Sequence, residues 1–242
     1  MKKVLFLLTV AIAAMQSVQA QVFKQTVTGR NIGQIKSVAL SGRLSVEMVR
    51  SQGDSIVIDL YDSDLSKLRW EVRKDELLVK LTVGSSNRNG RANVFIYYTK
   101  PFDNLSVSGS DVLIRERFNT GMFDVSLVNG AKLTATLDCM DVMLKSSDKS
   151  TAMLSGTAKY LTMQIDGKSR IDCRQMESVS VRVTASSGSE AYVWPQERGE
   201  FDARSSGMIF YRGEPTIYRE TLPAIRFGAT IGAIKITDGV YR

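Results

Sequence analysis

The sequence of 242 residues contains no histidine, and that single absence removes a large share of enzyme chemistry. Without an imidazole there is no Ser-His-Asp triad, no His-activated cysteine nucleophile and no histidine metal site. Cysteine is almost as scarce, with Cys139 and Cys173 alone, too few for a structural zinc site. Asp62-Ser63-Asp64 opens like a calcium loop, yet Lys67 and Arg73 stand where such a loop needs Gly and Glu. The letters Ser146-Ser147-Asp148-Lys149 match Ser-x-x-Lys, but they fall in a turn and lack the companion motifs. No metal and no other cofactor is expected.

Long apolar runs are also missing. The one candidate, residues 4–14, follows Lys2 and Lys3 and precedes the small-residue site Val18-Gln19-Ala20. At about eleven residues it is far short of the roughly 20 that span a bilayer, so residues 1–20 read as a secretory signal peptide. The expectation is export, to the periplasm, the outer cell surface or the extracellular space, with no membrane span. Removing Lys2 and Lys3 lowers the formal charge from +7 to +5. The remaining Lys and Arg are scattered, with no basic block, so a nucleic acid is not an expected partner. No stretch rich in Pro, Gly or Ser marks a linker. Residues 21–242 are expected to form one domain.

What the sequence does have is a repeat. Polar turns recur around Gly109, Gly130, Asp148, Gly167, Gly188 and Gly207, at steps of 21, 18, 19, 21 and 19 residues. A fixed period of this size marks a stacked, quasi-one-dimensional fold. Between the turns, side chains alternate. Phe123, Val125 and Leu127 share one face; so do Met140, Val142 and Leu144, and later Val179, Val181 and Val183. Period-two alternation is the strand signal, and no window of comparable length carries the 3.6 period of a helix. The fold class is all-β. A return to the same point every 20 residues or so favours parallel coils, a β-helix, over antiparallel hairpins. Cys139 and Cys173 are not separated by a whole number of periods, which favours two buried thiols over a bridge.

The flanks are less regular. Residues 38–49, 55–61, 68–72, 77–83 and 92–98 read as strands, with 84–91 closing a hairpin. Residues 21–103 are expected as irregular N-terminal strands or a cap, 104–215 as the regular repeats, and 216–242 as the C-terminal cap.

Three segments resemble a known family: residues 104–111, residues 187–193, and 203–215 with its ending Tyr211-Arg212-Gly213-Glu214-Pro215. They are similar to the head GIN domain family, named for auto-transporter adhesins and common in exported proteins of Bacteroides-type bacteria. The resemblance covers roughly residues 38–215. It implies a right-handed parallel β-helix, a β-solenoid of pectin-lyase-like shape without the lyase catalytic residues, and a role in adhesion.

For binding, Tyr192 and Trp194 alternate with Ala191 and Val193, so they are expected to project outward. Together with Arg182, Arg204 and Arg212 they are the candidate ligand-binding residues, because aromatic faces beside guanidinium groups can stack on sugars. Tyr97, Tyr98, Phe210 and Tyr218 are expected to add aromatic surface. The leading reading is an exported, non-enzymatic adhesin or glycan-binding module, with a polysaccharide or a host or cell-surface protein as partner. The alternative is a periplasmic envelope scaffold or sensor-linked protein that binds other proteins. A third reading is a polysaccharide-processing enzyme, for which Asp124, Asp138, Asp141, Asp166 and Asp172 are candidates by position, while the resemblance to lyases of this shape nominates Arg170 or Arg174 as the base. Acids at outward strand positions also serve simply to solvate a solenoid.

Overall fold

The computed structural model describes residues 24–82, 84, 89–221 and 233–236. The expected signal peptide, most of the 84–91 loop and much of the expected C-terminal cap lie outside the described residues. The strands in chain order are β1 (Lys24–Arg30), β2 (Ser37–Ser41), β3 (Leu44–Arg50), β4 (Ser55–Tyr61), β5 (Leu68–Arg73), β6 (Glu76–Leu81) and β7 (Arg91–Tyr98). They continue with β8 (Asn104–Ser108), β9 (Asp111–Ile114), β10 (Phe118–Val128), β11 (Lys132–Ser146), β12 (Thr151–Ile165), β13 (Arg170–Ala185) and β14 (Glu190–Ala203). Last come β15 (Met208–Tyr211), β16 (Thr216–Thr221) and β17 (Ala233–Ile236). One 3-10 turn, Leu65–Lys67, is the only helical element among the described residues.

The strands β11 to β14 are 14 to 16 residues long because each bends around a coil. Each takes part in three parallel ladders. The first runs β2, β8, 124–128 of β10, 141–146 of β11, 160–165 of β12, 180–185 of β13, 198–203 of β14, then β16. The second runs β3, β9, the first residues of β11 through β14, β15 and β17. A short third ladder joins 118–120, 137–139, 156–158, 176–178 and 194–195. The expected parallel β-solenoid is therefore present, with a third paired side in the coils from β10 to β14.

Register comes from the ladder partners. Asp111, Lys132, Thr151, Arg170, Glu190 and Met208 are successive partners, giving steps of 21, 19, 19, 20 and 18 residues. The glycine alignment of the sequence was offset by a residue or two, for a physical reason. Five successive turns from the first ladder to the second have two consecutive residues at positive φ: Asn129-Gly130, Asp148-Lys149, Gly167-Lys168, Ser187-Gly188 and Ser205-Ser206. Each is closed by an i to i+3 hydrogen bond, such as Ser189 N–H to Ser186 O at 3.1 Å. That is the type I′ signature. Glycine occupies the first central position in one turn, the second in two others, and neither in two more.

The turns form a ladder of their own. The second central N–H donates to the first central carbonyl of the next turn, Gly130 to Asp148 and Lys149 to Gly167, both at 2.8 Å. The residue closing the turn is Ser150, Ser169 or Ser189 in three coils, at most 1% exposed. Ser150 and Ser189 hydroxyls donate back to the carbonyls of Ser147 and Ser186 at 2.7 Å, which satisfies the buried backbone at the corner.

Inward positions fill the solenoid as the alternation predicts: Phe123, Leu127, Leu137, Leu144, Leu161 and Val181 are all at most 1% exposed. Met140 is a correction. It is 54% exposed, because the chain bends at that point from the third ladder into the first and reverses the alternation. Val179 is half-buried rather than core. In the N-terminal coils the interior is filled by Tyr98, Phe102, Phe118 and Phe123, with Phe102–Phe118 centroids at 4.9 Å and Phe118–Phe123 at 4.8 Å.

The N-terminal strands are both coil and cap. β6 and β7 pair in parallel with β2 and β3, one in each ladder, and so add a coil beyond them. The 84–91 loop therefore joins strands of different ladders and does not close a hairpin. The single strand expected over 38–49 is broken at Gly42, whose φ is +104. Antiparallel β5 ends the first ladder, and antiparallel β4 and β1 end the second. Trp70 of β5 packs so tightly on Gly29 of β1 that an added Cβ would lie 2.4 Å from its ring.

Candidate functional site

The five candidate binding residues fall on two sides of the solenoid. Tyr192, Trp194 and Arg212 come together where the second ladder gives way to the third, with Ala191 and Val193 buried and the two rings pointing outward, half-buried. The rings do not lie flat on the surface. Tyr192 stacks on Phe210 of the next coil, with centroids 4.6 Å apart and planes 9° apart. Arg170 and Arg174 lie over the same ring at 5.0 and 5.1 Å. A bulge in β13 between Asp172 and Glu177 provides the extra chain that carries Arg174. Trp194 carries the Arg212 guanidinium 3.4 Å from its ring centre. The aromatic faces thus serve contacts along the ladder, and what they present outward is edges and guanidinium groups.

Arg182 and Arg204 lie elsewhere. Arg182 is on the first ladder, donating to Glu200 at 2.8 Å, and Arg204 begins the following turn, donating to Asp202 at 2.9 Å. Both guanidinium groups are exposed and held by a carboxylate. Of the other aromatic residues, Phe210 joins the Tyr192 stack, whereas Tyr98 is a correction at 2% exposure. It belongs to the core, and burial pushes its phenol up to about 12. The Tyr218 side chain lies outside the described residues.

The candidate acids are held as anions where their ionisation is shifted. Burial drives the Asp172 carboxyl upward, but the Arg174 side chain and N–H, with the charge of Arg170, outweigh it and hold it below the ordinary range. Asp166 is lowered by the hydroxyls of Ser187 and Ser186 and by the Gly167 N–H. A proton donor for glycoside cleavage needs the opposite shift. Cys139 and Cys173 are free and buried, and burial pushes both thiols upward. No group of three or more His, Cys, Asp or Glu among the described residues is arranged to hold a metal ion.

The cavities lie over the first ladder. A depression of about 340 Å³ is lined by Ser126, Lys145, Gln164, Asp166, Thr184 and Ser186. A second, of about 220 Å³, adjoins it and shares Ser126 and Lys145, adding Ser37, Asn104, Ser106, Asp124 and Met143. Register explains the lining. Ser106, Ser126, Lys145, Gln164 and Thr184 are successive partners, one per strand, and all point outward. The two depressions form a single shallow trough crossing the strands along the solenoid axis. Sequence reasoning missed this row, although it named Asp124 and Asp166 beside it as candidate acids for the enzymatic reading. The row's one signal is a column of polar outward positions just before each turn, visible only once the coil register is known.

The family described as "Putative auto-transporter adhesin, head GIN domain" matches residues 34–215. Among solved structures, a "putative adhesin" from Bacteroides fragilis is 16% identical, with a TM-score of 0.75 over 90% of this chain and 98% of that one. A second, from Parabacteroides merdae, is 13% identical, with a TM-score of 0.63 over 88% and 95%. A "putative lipid binding protein" from Parabacteroides distasonis is also 13% identical, with a TM-score of 0.59 over 88% and 94%. At these identities the likeness is one of fold. No curated protein matches the sequence. Alternating strands, near-20-residue coils and the match across residues 34–215 agree, and the chain belongs to the head GIN domain family.

Proposed function

We propose that this protein is an exported, non-enzymatic adhesin that binds a glycan in the trough over its first ladder. One observation carries the reading: a row of Ser106, Ser126, Lys145, Gln164 and Thr184 runs under two adjoining depressions. Parallel strands repeat at about 4.8 Å, so a polymer lying along the axis meets hydroxyl, amine and amide groups at every strand. Hydroxyls both donate and accept, as do the groups on sugars. The adhesin names of the family and its structural neighbours support a binding role. Beads coated with the full chain are expected to adhere to surfaces carrying immobilised polysaccharide. Gln164→Ala combined with Thr184→Ala should release them at an unchanged thermal midpoint. Adhesion undiminished by the double variant would contradict the assignment.

A second reading, a periplasmic scaffold with a protein partner, has its own observation. Of the seven large apolar residues most exposed among those described, Met122, Met140, Met143 and Tyr160 gather near the corner where the third ladder turns into the first. Adaptable, exposed methionines favour protein contacts. Protease treatment of intact cells separates the readings: an adhesin is cleaved, a periplasmic scaffold is protected.

A further inference from the structure

We infer that the trough takes an uncharged, hydroxyl-rich chain, with Asp124, Lys145 and Asp166 bonding its hydroxyls; this rests on the glycan reading above. The charges around the trough argue it. The chain as a whole carries +7, yet the ionised groups lining the two depressions are Asp124, Lys145 and Asp166, one cation between two anions. Along its own row Lys145 is flanked by Ser126 and Gln164, both neutral. Asp124 sits two residues before Ser126, and Asp166 two residues after Gln164, so the acids lie diagonally on either side of the amine.

Some cations elsewhere on the ladders are matched directly, Lys132 to Asp111 at 3.1 Å and Arg182 to Glu200 at 2.8 Å. Lys145 makes no such ion pair among the described residues. An anionic polymer laid along the trough would meet a carboxylate on each side of its one cation. A cationic polymer would meet Lys145 in the middle. Neutral hydroxyls suit every group, accepting from the amine and donating to the carboxylates. Asp166 is already held ionised by Ser186 and Ser187, so it accepts a ligand hydroxyl without needing a counter-ion.

The test is retardation of the full chain in gels containing dextran, mannan or polygalacturonate, at about 0.05 M and about 0.5 M salt. The expected result is retardation by a neutral polymer, equal at both salt concentrations and exceeding that by polygalacturonate. Asp124→Asn and Asp166→Asn should each weaken it about tenfold, the value of one charge-assisted hydrogen bond, with thermal midpoints checked alongside. Preferential retardation by polygalacturonate, lost at high salt and in Lys145→Gln, would overturn the inference and leave the glycan reading standing. No retardation by any polymer would overturn both.

Discussion

Val181 and Arg182 are neighbours in sequence and opposites in environment. Val181 is completely buried, whereas Arg182 lies outward with its guanidinium on Glu200. Val181→Asp would place an unpaired charge in the solenoid interior and is expected to destabilise by several kcal/mol, on the order of 3–5. Arg182→Ala removes an exposed ion pair and should cost less than about 1 kcal/mol. Denaturant midpoints check both, and the reverse order would mean that the inward register is wrong. Asp172 gives a pH prediction. Its carboxyl is held below the ordinary range in the folded state, so its contribution is complete above the unfolded value near 3.9. It is lost as pH falls through the lower folded value. Melting curves between pH 6 and pH 2.5 should therefore show Asp172→Asn less stable than the parent at the neutral end, with the gap closing below about pH 4. A gap that widened on acidification would contradict the pairing with Arg174.

At the scale of the element, the repeating unit is a bent strand closed by a type I′ turn. Lys149 holds φ at +64 and Lys168 at +61, a region that glycine enters without strain. Lys149→Gly is expected to stabilise by roughly 0.5–1 kcal/mol, raising the melting temperature by about 1–4 °C. Gly156 sets the opposite limit. With φ at +103 and a virtual Cβ 2.0 Å from the Leu137 carbonyl oxygen, it leaves no room for a side chain where β12 bends over β11. Gly156→Ala should lower the melting temperature by more than any surface substitution. These same features explain what was legible in the sequence. Alternation exposed the strands, and the spacing of polar turns exposed the coil, because burial imposes period two and stacking imposes a constant turn-to-turn length. Residues such as Asp148, Lys149, Ser205 and Ser206 sit at positive φ without a glycine to mark them, so the register stayed offset. The bend at Met140 has no Gly or Pro, so the third ladder was invisible.

For the whole molecule, the fold was far easier to read than the site. Tyr192 and Trp194 stand out in a sequence because they are large and rare, and outward they are. Stacking along the ladder then gives their faces to Phe210, Arg170, Arg174 and Arg212. Apart from Asp124 and Asp166 at its sides, the row in the trough is built from serine, threonine, glutamine and a single lysine, residues with no individual signal, contributed by strands some twenty residues apart. Only the stacked coils bring them into one row. The glycan assignment therefore depends on which side of the solenoid is covered by ligand. Hydrogen exchange of the full chain with and without saturating neutral polysaccharide measures that directly. Slowed exchange is predicted in 124–128, 143–147, 164–166 and 184–186, with no change in 190–194 or 208–213. Protection confined to 190–194 and 208–213 would contradict the trough and move binding to the Tyr192 and Trp194 side.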